Sequence, residues 1–252
     1  IVYKKPAYEV FSQHEFVFTY LARIYTAFLG ASLVPLITVY VGYLFKHVED
    51  SYRKLIQLIS ALFIAFNVIF VQHSSYSTPD IVLTFEVLIF AYFITRYLDE
   101  GSFKYLFICM VAIGVGITTK YPAAILCLPL AGFVIYRSIK IDKNPRNIIK
   151  LGITSILVVL AVIFVVSPNF FTDFNSVIVC FTGAADSSHP GADGLSFFGN
   201  LAFYFKSLFK SIGYISYVPF IAGIIGMFYR RNHRLITLTI GLIFLVCMSV
   251  LG

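Results

Sequence analysis

The chain has 252 residues, of which 59% are hydrophobic and only 12% are charged, and its formal net charge is +7. Soluble domains carry about 25% charged residues, so this composition excludes an ordinary water-soluble domain and predicts an all-α, polytopic transmembrane helix bundle. The positive charge does not require a nucleic-acid partner, because membrane proteins collect Lys and Arg in their cytoplasmic loops.

Eight apolar segments are candidate membrane spans, since a spanning helix needs about 20 mostly apolar residues. They cover roughly residues 22–45, 55–72, 80–98, 104–119, 122–136, 151–168, 203–229 and 235–252. The fourth and fifth are short and meet at residues 118–122, so they form either two spans joined by a tight turn or a re-entrant pair. The chain opens without Met and closes inside an apolar run, so we expect a single transmembrane domain over 1–252 that is incomplete at both ends.

The distribution of basic residues predicts which side of the membrane each loop faces. With the N-terminus outside and eight alternating spans, most of the 19 Lys and Arg residues lie in cytoplasmic loops, and residues 169–200 contain none. This follows the positive-inside rule and places Lys120 and an external loop, 169–202, on the non-cytoplasmic side. The short loops favour a bacterial inner membrane over an endoplasmic reticulum. The outer side, which would carry any functional site formed by these loops, then faces the periplasm.

A polar stretch, HSSYSTPD from His73 to Asp80, interrupts two apolar runs and is predicted on the same outer side. Thr78, Pro79 and Asp80 suit a helix start, as N-cap, first helical residue and an acid beside the positive end of the dipole. Capping does not explain His73 and Tyr76. These two side chains and Asp80 are therefore candidates to line an external cavity.

Three ionisable residues lie within or at the ends of apolar runs. Glu86 is six residues beyond Asp80, about 9 Å deeper along a helix. Since such a residue usually faces the bundle interior, it either lines the space beneath HSSYSTPD or bonds a neighbour for packing. Lys120 and Arg23 either snorkel to the interface or meet a lipid-linked phosphate as cations.

Three segments, in this order, resemble a known family: RIYTAFLGASLVPLITVYVGYLF, HSSYSTPDIVLTFEVLIFAYFITRYL and GVGITTKYPAAILCLPL. They carry an Arg followed by small residues and Gly, an H-S-x-Y-x-x-P-D block at a helix start, and a glycine-bearing span that ends in T-K-Y-P. The chain thereby resembles the protein O-mannosyltransferase-like glycosyltransferases of the GT-C type, which include the bacterial lipid A aminoarabinose transferases. The resemblance covers roughly residues 15–140, and residues 150–252 match only in hydropathy.

The resemblance implies an inverting membrane glycosyltransferase with a GT-C membrane core. Its donor would be a polyprenyl-phosphate-linked sugar, and its acceptor a lipid, glycan or protein on the periplasmic or lumenal side. Arg23, Lys120 and Tyr121 match positions that could bind the donor phosphate. The block containing His73 and Asp80 would line the cavity.

The residue that acts as general base is not apparent in the matched segments. In the family a catalytic Asp lies in the first external loop, after a span that precedes the segments matched here. We therefore expect the base upstream of Ile1, and Glu9 and Glu15 are the nearest acids in this chain, although neither lies in the family's sequence context.

A divalent metal serves some members of the family and not others. The candidate ligands in the external loop are Asp173, Asp186, His189 and Asp193, but their irregular spacing favours chance, so no metal site and no certain cofactor are predicted.

Two other functions fit parts of the same pattern. A transporter or flippase for a lipid-linked or small polar solute would use the buried Glu86 and the external polar groups. Transporters usually show internal repeats, however, and none is found in this sequence. A non-catalytic membrane subunit is the third alternative.

Overall fold

The computed structural model describes residues 12, 14–173, 175, 177–179, 196–212, 221, 239–243 and 245–247, and no strand occurs among them. The helices are α1 Glu15–Leu44, α2 Asp50–Phe66, α3 Val68–Ser75, α4 Asp80–Glu100, α5 Phe103–Thr119, α6 Cys127–Tyr136, α7 Arg146–Val166, α8 Asn169–Thr172 and α9 Phe197–Ile212. A 3₁₀ helix, Tyr121–Leu126, precedes α6, and a π-helical turn, Arg137–Ile141, follows it. The predicted all-α fold is confirmed.

Several of these segments can cross a membrane. Within the described residues, four are long and apolar enough: Glu15–Leu44, Asp80–Glu100, Tyr121–Ile141 and Arg146–Val166. The bent pair of α2 and α3 would be a fifth, and α5 is apolar but shorter, with 17 residues. Helix α7 packs on α5 through the face that carries the buried Val159 and Ile163, and much of its remaining apolar surface is exposed, as suits a span that borders lipid. The predicted polytopic helical bundle is confirmed. The predicted spans 203–229 and 235–252 lie mostly outside the described residues.

The chain divides into two compact units, Ile1–Phe85 and Glu86–Gly252. In the first unit, α1 packs along α2 and α3. Leu33 and Tyr40, seven residues apart on one face of α1, are each 1% exposed. Gln57 of α2 donates a hydrogen bond to the α1 backbone at 2.8 Å. That 1–252 forms one transmembrane domain stays a prediction.

The predicted second span, 55–72, is not one straight helix. Helices α2 and α3 meet at Asn67, where the chain bends by 51°. Asn67 Oδ1 accepts hydrogen bonds from the N–H groups of Ile69 at 3.1 Å and Phe70 at 3.3 Å. This N-cap satisfies backbone donors that the bend leaves open. Helix α3 therefore carries the first part of HSSYSTPD at an angle to α2.

Helices α4 and α5 form an antiparallel hairpin that turns at Gly101. Phe93 stacks on Tyr105 near the turn, with ring centroids 5.9 Å apart, and the Cys109 thiol lies 3.7 Å from the Phe90 carbonyl further along. Gly101 has a φ of +73°, a backbone conformation that favours glycine. The C-terminal end of α5 consequently lies at the end of the hairpin away from the turn.

Arg137 joins the turn end of this hairpin to the segment after α6. Its Nη1 donates to the Leu98 carbonyl, and its Nη2 lies 3.1 Å from Asp142 Oδ1. The guanidinium also lies over the ring of Tyr97, 5.5 Å from the centroid. The side chain of Arg137 thus supplies a donor to one of the last carbonyls of α4, which an unaided helix end leaves open.

The junction at residues 118–122 is a tight connection between two helical segments. Helix α5 ends at Thr119, Lys120 is extended, with a φ of −156° and a ψ of 128°, and the 3₁₀ helix follows. The next segment continues through the π-helical turn to Ile141, so it covers 21 residues and is longer than the predicted span 122–136. Because this length is enough to cross the hydrocarbon core, it favours two spans with a tight turn over a re-entrant pair.

The predicted external loop, 169–202, contains helical residues at both ends, and its place outside the membrane stays a prediction. Helix α8 occupies Asn169–Thr172, and α9 begins at Phe197, before the predicted start of the seventh span at 203. Residues 180–195, with Asp186, His189 and Asp193, lie outside the described residues.

Candidate functional site

The first group of predicted residues lies on the N-terminal part of α1. Glu15, Thr19 and Arg23 recur at every fourth position and so share one face of the helix. With Phe16 and Tyr20 they line a depression of about 350 Å³. Glu15 and Arg23 are separated by about 12 Å along the helix axis. The depression therefore has an acid towards one end and a cation towards the other.

The wall of this depression is partly aromatic. The rings of Phe16 and Tyr20 stack with centroids 6.2 Å apart, and both are exposed. An amphipathic ligand could place an apolar chain on these rings while its polar group meets Arg23. Glu9, the other predicted acid of this region, lies outside the described residues.

Helix α1 also holds HSSYSTPD in place. The buried hydroxyl of Thr26 lies 2.8 Å from the Tyr76 carbonyl and 3.3 Å from the Ser74 carbonyl, and it can donate to either. A Cβ on Gly30 would lie 2.6 Å from the Ser74 Cβ, so glycine is what allows this close approach. Sequence analysis missed Thr26 and Gly30. The available signal was their spacing from Arg23, which puts all three on one face of α1.

Within HSSYSTPD, the structure brings His73 and Asp80 together. His73 Nδ1 lies 3.6 Å from Asp80 Oδ2, and the two side chains are 37% and 40% exposed. Tyr76 is exposed as well. The stretch therefore presents an imidazole, a carboxylate and a phenol at the surface, and their role in lining a cavity stays a prediction.

The predicted N-cap at Thr78 is wrong. Helix α4 begins at Asp80, and the Pro79 carbonyl accepts a hydrogen bond from the Leu83 N–H at 2.9 Å, which puts Pro79 at the N-cap position. The Thr78 hydroxyl is buried and has no hydrogen-bond partner in the part of the chain that is described. The helix starts one residue later than a Thr78 cap requires. Asp80 does lie in the first turn, as expected from the helix dipole.

Glu86 is buried where α4 meets α5, with 5% of its surface exposed. Its Oε1 lies 3.2 Å from Thr119 Oγ1, whose single proton can go to this oxygen or to the Val115 carbonyl at 3.0 Å, whereas Oε2 has no hydrogen-bond partner among the described residues. Gly116 makes room for the carboxylate, because a Cβ there would lie 3.0 Å from Oε2 and 2.8 Å from the Ala123 Cβ. The contact agrees with a packing partner for Glu86, and its cavity-lining role stays a prediction.

Lys120 and Tyr121 follow Thr119 directly. The Lys120 N–H donates to the Gly116 carbonyl at 2.8 Å, and the Lys120 carbonyl accepts from the Ala123 N–H at 3.0 Å. Both backbone groups of Lys120 are therefore satisfied at the break between α5 and the 3₁₀ helix. The side chains of Lys120 and Tyr121 are half-buried.

The predicted residues thus form three local groups: Glu15 with Arg23, His73 with Asp80, and Glu86 with Thr119 beside Lys120 and Tyr121. A single cavity shared by all three stays a prediction. In the described ranges, no cluster of three His, Cys, Asp or Glu side chains could hold a metal ion.

Comparison with known proteins adds one finding. A family model described as dolichyl-phosphate-mannose-protein mannosyltransferase matches residues 13–170. This range covers more than half of the chain and contains all three local groups. No curated protein and no solved structure matches the chain significantly.

Proposed function

The chain belongs to the dolichyl-phosphate-mannose-protein mannosyltransferase family of membrane glycosyltransferases, and on this basis we propose that it transfers a sugar from a polyprenyl-phosphate-linked donor. The acceptor is a lipid, glycan or protein on the periplasmic side of a bacterial inner membrane. The family match over residues 13–170 carries the proposal, because it spans the segments that hold Glu15, Arg23, HSSYSTPD, Glu86, Lys120 and Tyr121.

The reaction is a displacement at the anomeric carbon of the donor. A hydroxyl or amide group of the acceptor attacks this carbon, and the bond between the carbon and the phosphate oxygen breaks. The polyprenyl phosphate leaves with the electron pair, and a general base takes the acceptor proton. Attack opposite the leaving group inverts the anomeric centre. Negative charge grows on the leaving phosphate, so donors fixed around it lower the barrier.

We assign Arg23, Lys120 and Tyr121 to this phosphate. The guanidinium offers a planar pair of donors, the ammonium a compact charge, and the phenol one more hydrogen bond. The stacked rings of Phe16 and Tyr20 beside Arg23 support the assignment, since a prenyl chain requires an apolar surface next to the phosphate site.

The general base must approach the sugar from the side opposite the phosphate. Of the two candidate acids in this chain, Glu15 shares a depression with Arg23. Their separation of about 12 Å along α1 leaves room for a sugar between them. The resemblance still implies a base upstream of Ile1, and of the two candidate acids in this chain we propose Glu15 as the alternative.

Native mass spectrometry of the full-length protein, released gently from membranes, tests the donor site. We expect a bound polyprenyl phosphate that is lost in Lys120→Ala, because removing one hydrogen bond to a charged group weakens binding about tenfold or more. Lys104→Ala is the matched control, since Lys104 is an exposed lysine near the other end of α5. Absence of bound polyprenyl phosphate from the wild type, even after its addition, contradicts the proposal.

The transporter alternative draws support from one observation, the broken helix at Asn67, because transporters often bind their solutes at such breaks. Proteoliposomes that contain the lipid-linked donor distinguish the two functions. An enzyme transfers the sugar to an acceptor and releases polyprenyl phosphate. A transporter or flippase moves the intact donor to the other leaflet without forming a product.

A further inference from the structure

Glu86 is a buried acid in an apolar segment, and the proposed reaction assigns it no chemical step. An ionisable side chain at this depth is costly and needs compensating contacts. Its environment is specific: one carboxylate oxygen lies 3.2 Å from the Thr119 hydroxyl, which can donate to it or to the Val115 carbonyl at 3.0 Å, and the other oxygen lies against the bare backbone of Gly116. Thr119 and Gly116 belong to the last turn of α5.

The same turn leads into the break at Lys120. Gly116 accepts the N–H of Lys120 at 2.8 Å, and its missing side chain admits both the Glu86 carboxylate and Ala123 of the 3₁₀ helix. Glu86 and Ala123 therefore both lie against Gly116, the residue that accepts the Lys120 N–H. The Glu86 carboxylate thus contacts the last turn of α5, which ends at Thr119, directly before Lys120.

We propose that Glu86 is a positioning residue that holds the end of α5 through Thr119 and thereby fixes the backbone from which Lys120 reaches the donor phosphate. The inference rests on the proposed function for its donor part. The hydrogen bond orients the last turn of α5, while Pro122, which cannot continue a helix, keeps the following chain in a separate segment. Glu86 itself makes no contact with the reacting atoms.

The test measures donor KM and kcat for the full-length protein in lipid nanodiscs. Glu86→Leu and Thr119→Val each remove the hydrogen bond, and we expect either change to raise the donor KM about tenfold, with a smaller change in kcat. The double variant should be no worse than either single variant, because both remove the same interaction. Glu86→Gln, which keeps an acceptor oxygen, and Thr119→Ser, which keeps the hydroxyl, should recover most of the lost affinity.

Thr118→Val is the matched control, because the Thr118 hydroxyl donates at 2.7 Å to the Val115 carbonyl, which the Thr119 hydroxyl also approaches at 3.0 Å, so both variants remove a contact with this carbonyl. We expect its donor KM to stay at the wild-type value. Equal effects of Thr118→Val and Thr119→Val would overturn the proposal, as would additive effects of Glu86→Leu and Thr119→Val.

Amide hydrogen exchange over residues 116–126 gives a second measurement that does not depend on activity. We expect faster exchange in Glu86→Leu and Thr119→Val than in the wild type and Thr118→Val, since the break loses its support. Unchanged exchange would overturn the positioning role even if the KM rises. If the wild type binds no donor, the proposed function fails, while the exchange data still decide whether Glu86 holds this break.

Discussion

Replacement of Gly30 by Ala tests how α1 holds HSSYSTPD. The new Cβ would lie 2.6 Å from the Ser74 Cβ and still closer to the Ser74 hydroxyl. The hydroxyl can rotate away, but the Ser74 Cβ is fixed to the backbone. Carbon atoms in contact lie about 3.5–4.0 Å apart, so α1 and α3 must separate locally by about 1 Å.

The steric clash at Ser74 determines how far Gly30→Ala lowers the free energy of unfolding. Overpacking of this kind costs about 1–3 kcal/mol. The Thr26 hydroxyl adds little, because it can turn from Tyr76 to the carbonyls of Ala22 or Arg23, each at 3.1 Å. We therefore expect Gly30→Ala to lower the free energy of unfolding by about 2 kcal/mol, and the melting temperature by about 5 °C.

Thermal unfolding in detergent, followed by the loss of monodisperse protein, measures this shift. Gly132→Ala is the matched control, because Gly132 lies in a helix with no atom within 4 Å of the added Cβ. Adding Ser74→Gly to Gly30→Ala should recover part of the loss, since it removes the Cβ that clashes. Equal melting temperatures for Gly30→Ala and Gly132→Ala would refute the reasoning.

Two further substitutions test the connections that shape the two units. Gly101→Ala should lower the free energy of unfolding by about 1–3 kcal/mol, because Gly101 has a φ of +73° and its added Cβ meets the Arg137 guanidinium. Thermal unfolding measures this loss, and a melting temperature equal to that of Gly152→Ala would contradict the prediction. Asn67→Ala should cost about 1 kcal/mol, because α3 loses its N-cap. Asn67→Asp keeps the acceptor and should retain most of that stability, and equal unfolding temperatures for the two Asn67 variants would argue against the cap.

Long apolar segments were predictable from the sequence because the membrane imposes a minimum length on them. Helices α1, α4 and α7 overlap the predicted spans, although α1 begins seven residues and α7 five residues earlier than predicted. The overlap arises because about 20 apolar residues must form a helix to cross the hydrocarbon core. The breaks were harder to predict. Asn67 lies in an otherwise apolar run, and hydropathy alone does not show that its side chain caps a new helix.

The ends of segments were misplaced where polar side chains serve the fold. The predicted span 122–136 ends just before Arg137, yet this residue is buried and bonds the end of α4. The helical segment therefore extends to Ile141. Thr78 was placed at an N-cap by its residue type, but helix α4 begins one residue later than that cap requires. Charge and capping preference are local signals, whereas the Leu98 carbonyl that Arg137 bonds lies in a distant part of the chain.

Two of the breaks in the helices lie beside residues that the sequence singled out, HSSYSTPD and Lys120. In a bilayer, a backbone break is tolerated only where other groups satisfy its polar atoms or where it borders a cavity. The side chain of Asn67 satisfies the bend before HSSYSTPD, and Gly116 and Ala123 satisfy the backbone of Lys120. In a continuous helix, Lys120 would lie on the same face of α5 as Gly116 and Ile117. The break instead sets the direction of the Lys120 side chain independently of α5. Substitutions of residues that support the break, such as Glu86, should therefore change donor affinity although these residues do not contact the donor.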